Sequence, residues 1–356
     1  MRRVTAASLV TAALAAAVTA APARAVVTTA AAAQAHGGRP LGTAGCTATG
    51  CHFDLPPGAY DVTVRLGGAA ASSTSVTGEA RRALLPETAV APGERVTRGF
   101  TVNVRTPEGE PTGADGTPGL DLSLGGSAPA LAGIRVTPAR HDRRIILIGD
   151  STVCDQPAAP YSGWGQQLPQ YLRKGLSVAN YADSGESTVS YLEDPRLWAT
   201  VQPLIRPGDL VLVQLAHNDK TTDGATYRAN LERLVAGVRE KGGEPVLVTP
   251  VVRRWFNTDG TLDNGTALLV NGLGVDHPAV VRAVAAAERV PLIDLTARTK
   301  ALVESLGVEG SKAVYLVAEK RDNTHTSVLG ATLYASLVRD ELLALRLVPE
   351  GKVRVG

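Results

Sequence analysis

The chain has no excess of charge of either sign. Its 356 residues carry 36 Lys+Arg against 34 Asp+Glu, a formal net charge of +2, and that balance lacks the clustered basic excess of a nucleic-acid-binding protein. Beyond the N-terminal segment no apolar run is long enough to cross a bilayer. Cysteine is scarce, with three in all, so a dense disulfide framework is excluded. No group of Cys, His and acidic residues has metal-ligand spacing. Cys46, Cys51 and His52 come nearest, but they are loosely spaced and lack a fourth ligand. Neither a metal nor a cofactor is expected, and no internal repeat is found.

What is present begins with an N-terminal address. Arg2 and Arg3 precede an apolar stretch from about Ala6 to Ala21, and Ala23-Arg24-Ala25 follows as a small-x-small site. Residues 1–25 read as a secretory signal peptide, which predicts a secreted protein, free of membrane once the signal is cleaved. In an oxidising compartment Cys46 and Cys51 are expected to close a small disulfide loop, worth about 2 kcal/mol. Cys154 is left over. It lies three residues past Ser151, with no histidine placed beside it by any spacing.

The length suits two domains, and a hydrophobic fraction of 44% permits a full core. Residues 26–44 read as a flexible segment rich in Ala, Thr and Gly. Residues 45–140 read as a β-sandwich accessory domain. Tyr60–Leu66, Phe100–Arg105 and Asp121–Leu124 alternate with period two, and turns such as Pro57-Gly58, Gly67-Gly68 and Pro92-Gly93 divide the runs.

The pattern changes at residues 141–350. Ile145–Ile148 is a continuous apolar run, as in a strand buried on both faces. Similar runs recur at Val178–Tyr181, Leu210–Leu215, Pro245–Val248 and Pro291–Leu295. Helical spacing separates or follows them at Tyr227–Lys241, Pro278–Arg289 and Ser327–Leu345. Alternating strands and helices predict an α/β domain around a parallel, doubly wound sheet.

In such sheets the site lies beyond the carboxyl ends of the strands. There the chain places Gly149-Asp150-Ser151, then Ser184-Gly185-Glu186-Ser187, then His217-Asn218-Asp219, then Arg253-Arg254. Asp322-Asn323-Thr324-His325 stands just before the last helix. A serine hydroxyl needs an adjacent imidazole to accept its proton, and the imidazole needs an acidic partner. Ser151, His325 and Asp322 supply these. The N–H groups of Ser151 and Gly185 and the amide of Asn218 supply donors for an oxyanion.

Gly149-Asp150-Ser151-Thr152, Gly185, Asn218-Asp219 and Asp322-x-x-His325 resemble, in order, the four sequence blocks of SGNH/GDSL hydrolases. Tyr161–Gln166, Ala182–Ser187, Val248–Arg254 and Asp322–His325 resemble those of the rhamnogalacturonan acetylesterase family within it. The resemblance covers about 145–345. Phe53–Gly68 and Glu79–Arg82 are similar to the N-terminal β-domain that members often carry. The resemblance implies a three-layer, flavodoxin-like SGNH-hydrolase fold with a five-stranded parallel sheet, no metal, and deacetylation of a pectic polysaccharide. One departure stands out. Ala216 occupies a position usually held by Gly, which is harmless unless that position requires positive φ.

An acetylated polysaccharide or oligosaccharide is therefore the expected partner, handled by a monomer. Arg253 and Arg254 read either as solvated surface pairs or, at the crevice, as the binder of a uronate carboxylate, and Trp164 and Trp255 read equally as stacking faces for sugar rings or as core or lid packing. His217 reads equally as a substrate contact or as a support for its loop. An acetylxylan or general acyl esterase is the alternative among enzymes. A catalytically silent carbohydrate-binding protein is the alternative outside them, although such a protein need not keep Ser151, His325 and Asp322 together.

Overall fold

In the computed structural model, residues 41–354 are described, apart from 107, 114 and 115. The expected signal peptide and most of the flexible segment lie outside the described residues.

Seven strands form two antiparallel sheets. Strands β1 (Gly50–Phe53), β3 (Ser72–Gly78), β4 (Arg82–Val90) and β6 (Leu120–Ala128) form one, in the order β1-β6-β3-β4. Strands β2 (Gly58–Leu66), β5 (Val96–Val104) and β7 (Leu131–Pro138) form the other, in the order β5-β2-β7. The alternation read at Tyr60–Leu66 is the reason they stack. Val62, Val64 and Leu66 point inward with Phe100 and Val102, and meet Val76, Leu84 and Leu122 from the opposite sheet in one core. Strands β3 and β4 were not legible one by one. Ser72–Gly78 is rich in Ser and Thr, and β4 carries Pro86. A proline is tolerated there because β4 is an edge strand. Cys46 and Cys51 are joined by a disulfide.

The second half holds β8 (Arg143–Gly149), β9 (Leu176–Asn180), β10 (Leu210–Gln214), β11 (Glu244–Val248) and β12 (Leu292–Ile293). They form a five-stranded sheet of order β12-β11-β10-β8-β9, and every pairing is parallel. Successive residues of each strand face opposite layers. Ile145, Leu147, Leu210 and Leu212 pack with Val303 and Val338, from helices Leu295–Gly310 and Val328–Ala344. Ile146, Ile148, Val211 and Val213 pack with Leu231 and Val284, from helices Gly224–Glu240 and His277–Glu288. Burial on both faces is why these strands read as unbroken apolar runs. The last strand is shorter than expected. Asp294 caps the next helix by accepting from the Ala297 N–H, so Leu295 is already helical.

The sandwich touches the parallel sheet where the site is built. At the turn before β4, Arg81 Nη1 donates to the carbonyls of Gln156 (3.1 Å) and Tyr161 (3.0 Å). Gln166 Nε2 returns a bond to the Ala80 carbonyl at 2.6 Å. Buried Arg105 of the sandwich pairs with buried Asp155 at 2.7 Å, and Asn180 Nδ2 donates to the other Asp155 oxygen at 2.8 Å.

Candidate active site

Strand β8 ends at Gly149, and the chain turns at once. Asp150 is buried and accepts from the Thr152 N–H (2.9 Å) and hydroxyl (2.7 Å), which fixes the turn and leaves Ser151 at its tip. Gly165 is required beneath it, because a Cβ there would lie 2.4 Å from the Val153 carbonyl oxygen.

His325 Nε2 lies 3.0 Å from Ser151 Oγ, and His325 Nδ1 lies 2.7 Å from Asp322 Oδ2. A carboxylate beside Nδ1 places the proton on that nitrogen and leaves the Nε2 lone pair facing the serine hydroxyl. Asp322 Oδ1 accepts from the Thr324 and His325 N–H groups at 2.7 and 3.0 Å. Burial works to raise the Asp322 carboxyl, but these hydrogen bonds and the His325 ring hold it below the usual carboxylate range. It therefore stays ionised at neutral pH. Tyr161 meets the His325 ring edge-on at 5.5 Å.

Three donors on these loops have hydrogens to spare. Among the described residues, no protein acceptor takes the N–H of Ser151 or of Gly185. Gly185 has φ +87°, a conformation side-chain-bearing residues seldom adopt. Asn218 Nδ2 gives one hydrogen to the Glu186 carbonyl at 3.0 Å, which links the two donor loops and leaves its second hydrogen available. Ala216 is not at positive φ, so the missing glycine introduces no strain.

These loops belong to a chain whose residues 147–330 match the model of the GDSL-like Lipase/Acylhydrolase family. The chain belongs to that family. It is 37% identical over 220 residues to the rhamnogalacturonan acetylesterase RhgT of Bacillus subtilis (strain 168), which covers 57% of this chain and 91% of that protein. It is 29% identical over 299 residues to the uncharacterized esterase YxiM of the same organism, covering 82% of this chain and 73% of that one. The crystal structure of the YxiM protein superposes on 84% of this chain and 81% of its own, with TM-score 0.53 at 26% identity. So large a share of the chain reaches past the parallel sheet into the sandwich. As a family member the protein is an esterase, of the rhamnogalacturonan acetylesterase-like kind that its sequence blocks resemble.

Of the four candidate substrate-binding side chains, the structure buries Trp164, Arg254 and His217 in bonds of their own. Trp164 is buried, and its indole Nε1 donates to Gln214 Oε1 at 3.0 Å, so this esterase has no sugar platform there. Arg254 is buried too. It donates to Ser311 Oγ (3.0 Å), Asn323 Oδ1 (3.0 Å) and the Val308 carbonyl, tying the Asp322–His325 loop to its surroundings. His217 is a support for its loop and not a substrate contact. Its buried ring bridges Asp150 Oδ2 and the Val251 carbonyl, each at 3.1 Å. Burial works to raise Asp150, yet the His217 ring and the Thr152 donors hold its carboxyl below the usual range.

Arg253 is the arginine left at the crevice. Its Nη2 donates to the His217 carbonyl at 2.9 Å, and its Nε has no partner among the described residues. With Lys220, Asn271 and His277 it lines a cavity of about 150 Å3. Trp255, 42% exposed, is the tryptophan available for stacking.

Cys154 is not a nucleophile. Burial pushes its thiol well above the ordinary range, and the thiolate is the reactive form. Its Sγ instead donates to Glu110 Oε1 at 3.3 Å. Glu110 was missed by sequence reasoning, because it comes from the sandwich, 74 positions before its main partner Ser184.

Proposed function

We propose that this protein is a secreted carbohydrate esterase that removes acetyl groups from a plant cell-wall polysaccharide, foremost rhamnogalacturonan. The observation that carries the reading is the relay from Asp322 through His325 to Ser151, at 2.7 and 3.0 Å. Ser151 Oγ attacks the acetyl carbonyl while His325 Nε2 takes its proton. The oxyanion forms against the N–H groups of Ser151 and Gly185 and the Asn218 amide. Collapse expels the sugar oxygen, which takes the proton from His325, and water then repeats the sequence to release acetate. Similarity to RhgT favours rhamnogalacturonan. Arg253 and Lys220 beside the donor loop suit a uronate carboxylate, since guanidinium and carboxylate pair as charge-assisted hydrogen bonds. The N-terminal pattern of Arg2, Arg3 and an apolar stretch supports export.

The test is acetate release from a panel of acetylated rhamnogalacturonan, homogalacturonan and xylan, beside a chromogenic acetyl ester. The first polymer should release acetate fastest, and a preference for xylan would transfer the assignment to acetylxylan. Ser151→Ala should lower turnover on every substrate by roughly 10³-fold or more with the fold intact. Near-normal turnover by that variant would end the serine mechanism, and an inactive wild-type chain would favour a silent binding protein.

A further inference from the structure

The sandwich sends one loop, between β5 and β6, into the esterase site. Glu110 on that loop meets Ser184, the residue immediately before Gly185. Its Oε1 accepts from Ser184 Oγ at 2.8 Å, and its Oε2 accepts from the Ser184 N–H at 3.3 Å, a hydrogen shared with Asp183 Oδ1 at 3.1 Å. Cys154 Sγ is a third donor to Oε1. Two bonds to one residue hold both its side-chain rotamer and its incoming peptide plane. The next peptide carries the Gly185 N–H, at a glycine whose own backbone is permissive. Gln156 Nε2 couples the arrangement to the nucleophile by donating to Ser184 Oγ (3.2 Å) and to the Ser151 carbonyl (3.0 Å).

A brace must itself be fixed, and this one is. Glu108, two residues earlier, accepts from the Arg105 N–H at 2.8 Å and from Arg82 Nη2 at 2.5 Å. Arg105 Nη2 donates to the Gly109 carbonyl and to Asp155 Oδ2, at 3.1 and 2.7 Å. All four charged groups are buried, where a bonded network is rigid because a broken member would leave an unpaired charge. Thr112 donates its hydroxyl to Asp183, the residue before Ser184.

We propose that Glu110 is a positioning residue of the esterase site, through which the β-sandwich aims the Gly185 N–H at the oxyanion. The proposal rests on the reading of Ser151 as nucleophile. It also gives the sandwich a catalytic task, because Glu110 lies outside the segment 147–330 that matches the family. The carboxylate need not oppose the oxyanion strongly. Its lone pairs face three donors, which disperse its charge.

The experiment uses the full chain with Glu110→Ala, Glu110→Gln and, as a control, Glu87→Ala, an exposed carboxylate of β4 bonded to Ser73 and Ser127 and not to the brace. Losing a whole oxyanion donor costs about 10²–10³ in kcat, so misaiming one of three should cost about 10–100-fold. Glu110→Ala should show that loss in kcat on a small neutral acetyl ester, with KM unchanged. Glu110→Gln keeps one acceptor for Ser184 Oγ and should recover part of it, while Glu87→Ala should match wild type. Amide hydrogen exchange of a folded Glu110→Ala should quicken at 183–187 and not across the parallel sheet. Unchanged kcat, or losses that merely follow a general rise in exchange, would overturn the proposal. If Ser151→Ala keeps its turnover, the nucleophile reading fails separately. Exchange at 183–187 then decides the brace, which stands if quickening is confined there and falls if there is none.

Discussion

The two loops that aim donors at the oxyanion are braced differently. The Asn218 loop is held from within the α/β half. His217 bridges Asp150 and Val251, and Asp219 accepts from the Thr188 N–H and hydroxyl at 2.9 and 2.6 Å. The Gly185 loop is held from within too, by Gln156 and Asn218, but also from outside, by Glu110 and Thr112 of the sandwich. One wall of the site therefore lies within the family-matched segment, and the other draws on a neighbouring domain. The lesson is that a local motif can supply a donor while a distant loop supplies its aim.

Asn218→Ala breaks the first wall most directly. It should lower kcat by roughly 10²–10³-fold, about 3–4 kcal/mol of transition-state stabilisation. Steady-state kinetics on a chromogenic ester checks it, and a rise in KM alone would make Asn218 a ground-state contact. It should also exceed the Glu110→Ala loss, since one removes a donor and the other only misdirects one. The reverse ranking would undo the comparison.

The arginine pair sharpens the same wall. Arg254→Ala strips bonded partners from Ser311, Asn323 and Val308, and should destabilise the fold by about 1–3 kcal/mol. Arg253→Ala should leave stability near wild type and raise KM several-fold on acetylated uronate oligomers, sparing a small neutral ester. Denaturant unfolding together with kinetics on both substrates separates them. Matching behaviour in the two variants would remove the distinction drawn between a structural arginine and a binding one.

The smallest effect concerns pH at the sandwich-braced wall. Asp183 is raised to about 7, chiefly by burial, and Glu79 of the sandwich likewise. For a carboxyl raised on folding, the folded state binds more protons than the unfolded one between the two values. Stability from this source is full below about pH 4, falls as pH climbs to about 7, and is lost above it. Asp183→Asn should flatten part of that fall, leaving a remainder from Glu79. Melting temperatures of both proteins from pH 4 to 8 would show it. Parallel curves would mean that Asp183 does not titrate as its burial implies.

Much of this was legible in the chain itself. Continuous apolar runs identified the parallel strands because burial on both faces removes alternation, and period two identified Tyr60–Leu66 and Phe100–Arg105 because only one face of each enters the sandwich core, the polar Thr101 and Arg105 of the second being buried against the α/β half instead. Ser151, Gly185, Asn218, Asp322 and His325 were legible because each sits in a short motif directly after a strand or before a helix. Strand ends fix such residues with no help from distant sequence. Other matters had no local signature. Arg253 and Arg254 are consecutive on an irregular segment with no period to say which side chain turns inward, and packing alone buried Arg254 and left Arg253 at the crevice. Trp164 was equally ambiguous until Gln214 met its indole. Glu110 depended on tertiary structure altogether, because a carboxylate becomes a brace only when folding carries it across 74 residues to Ser184, and no spacing in a sequence records that distance.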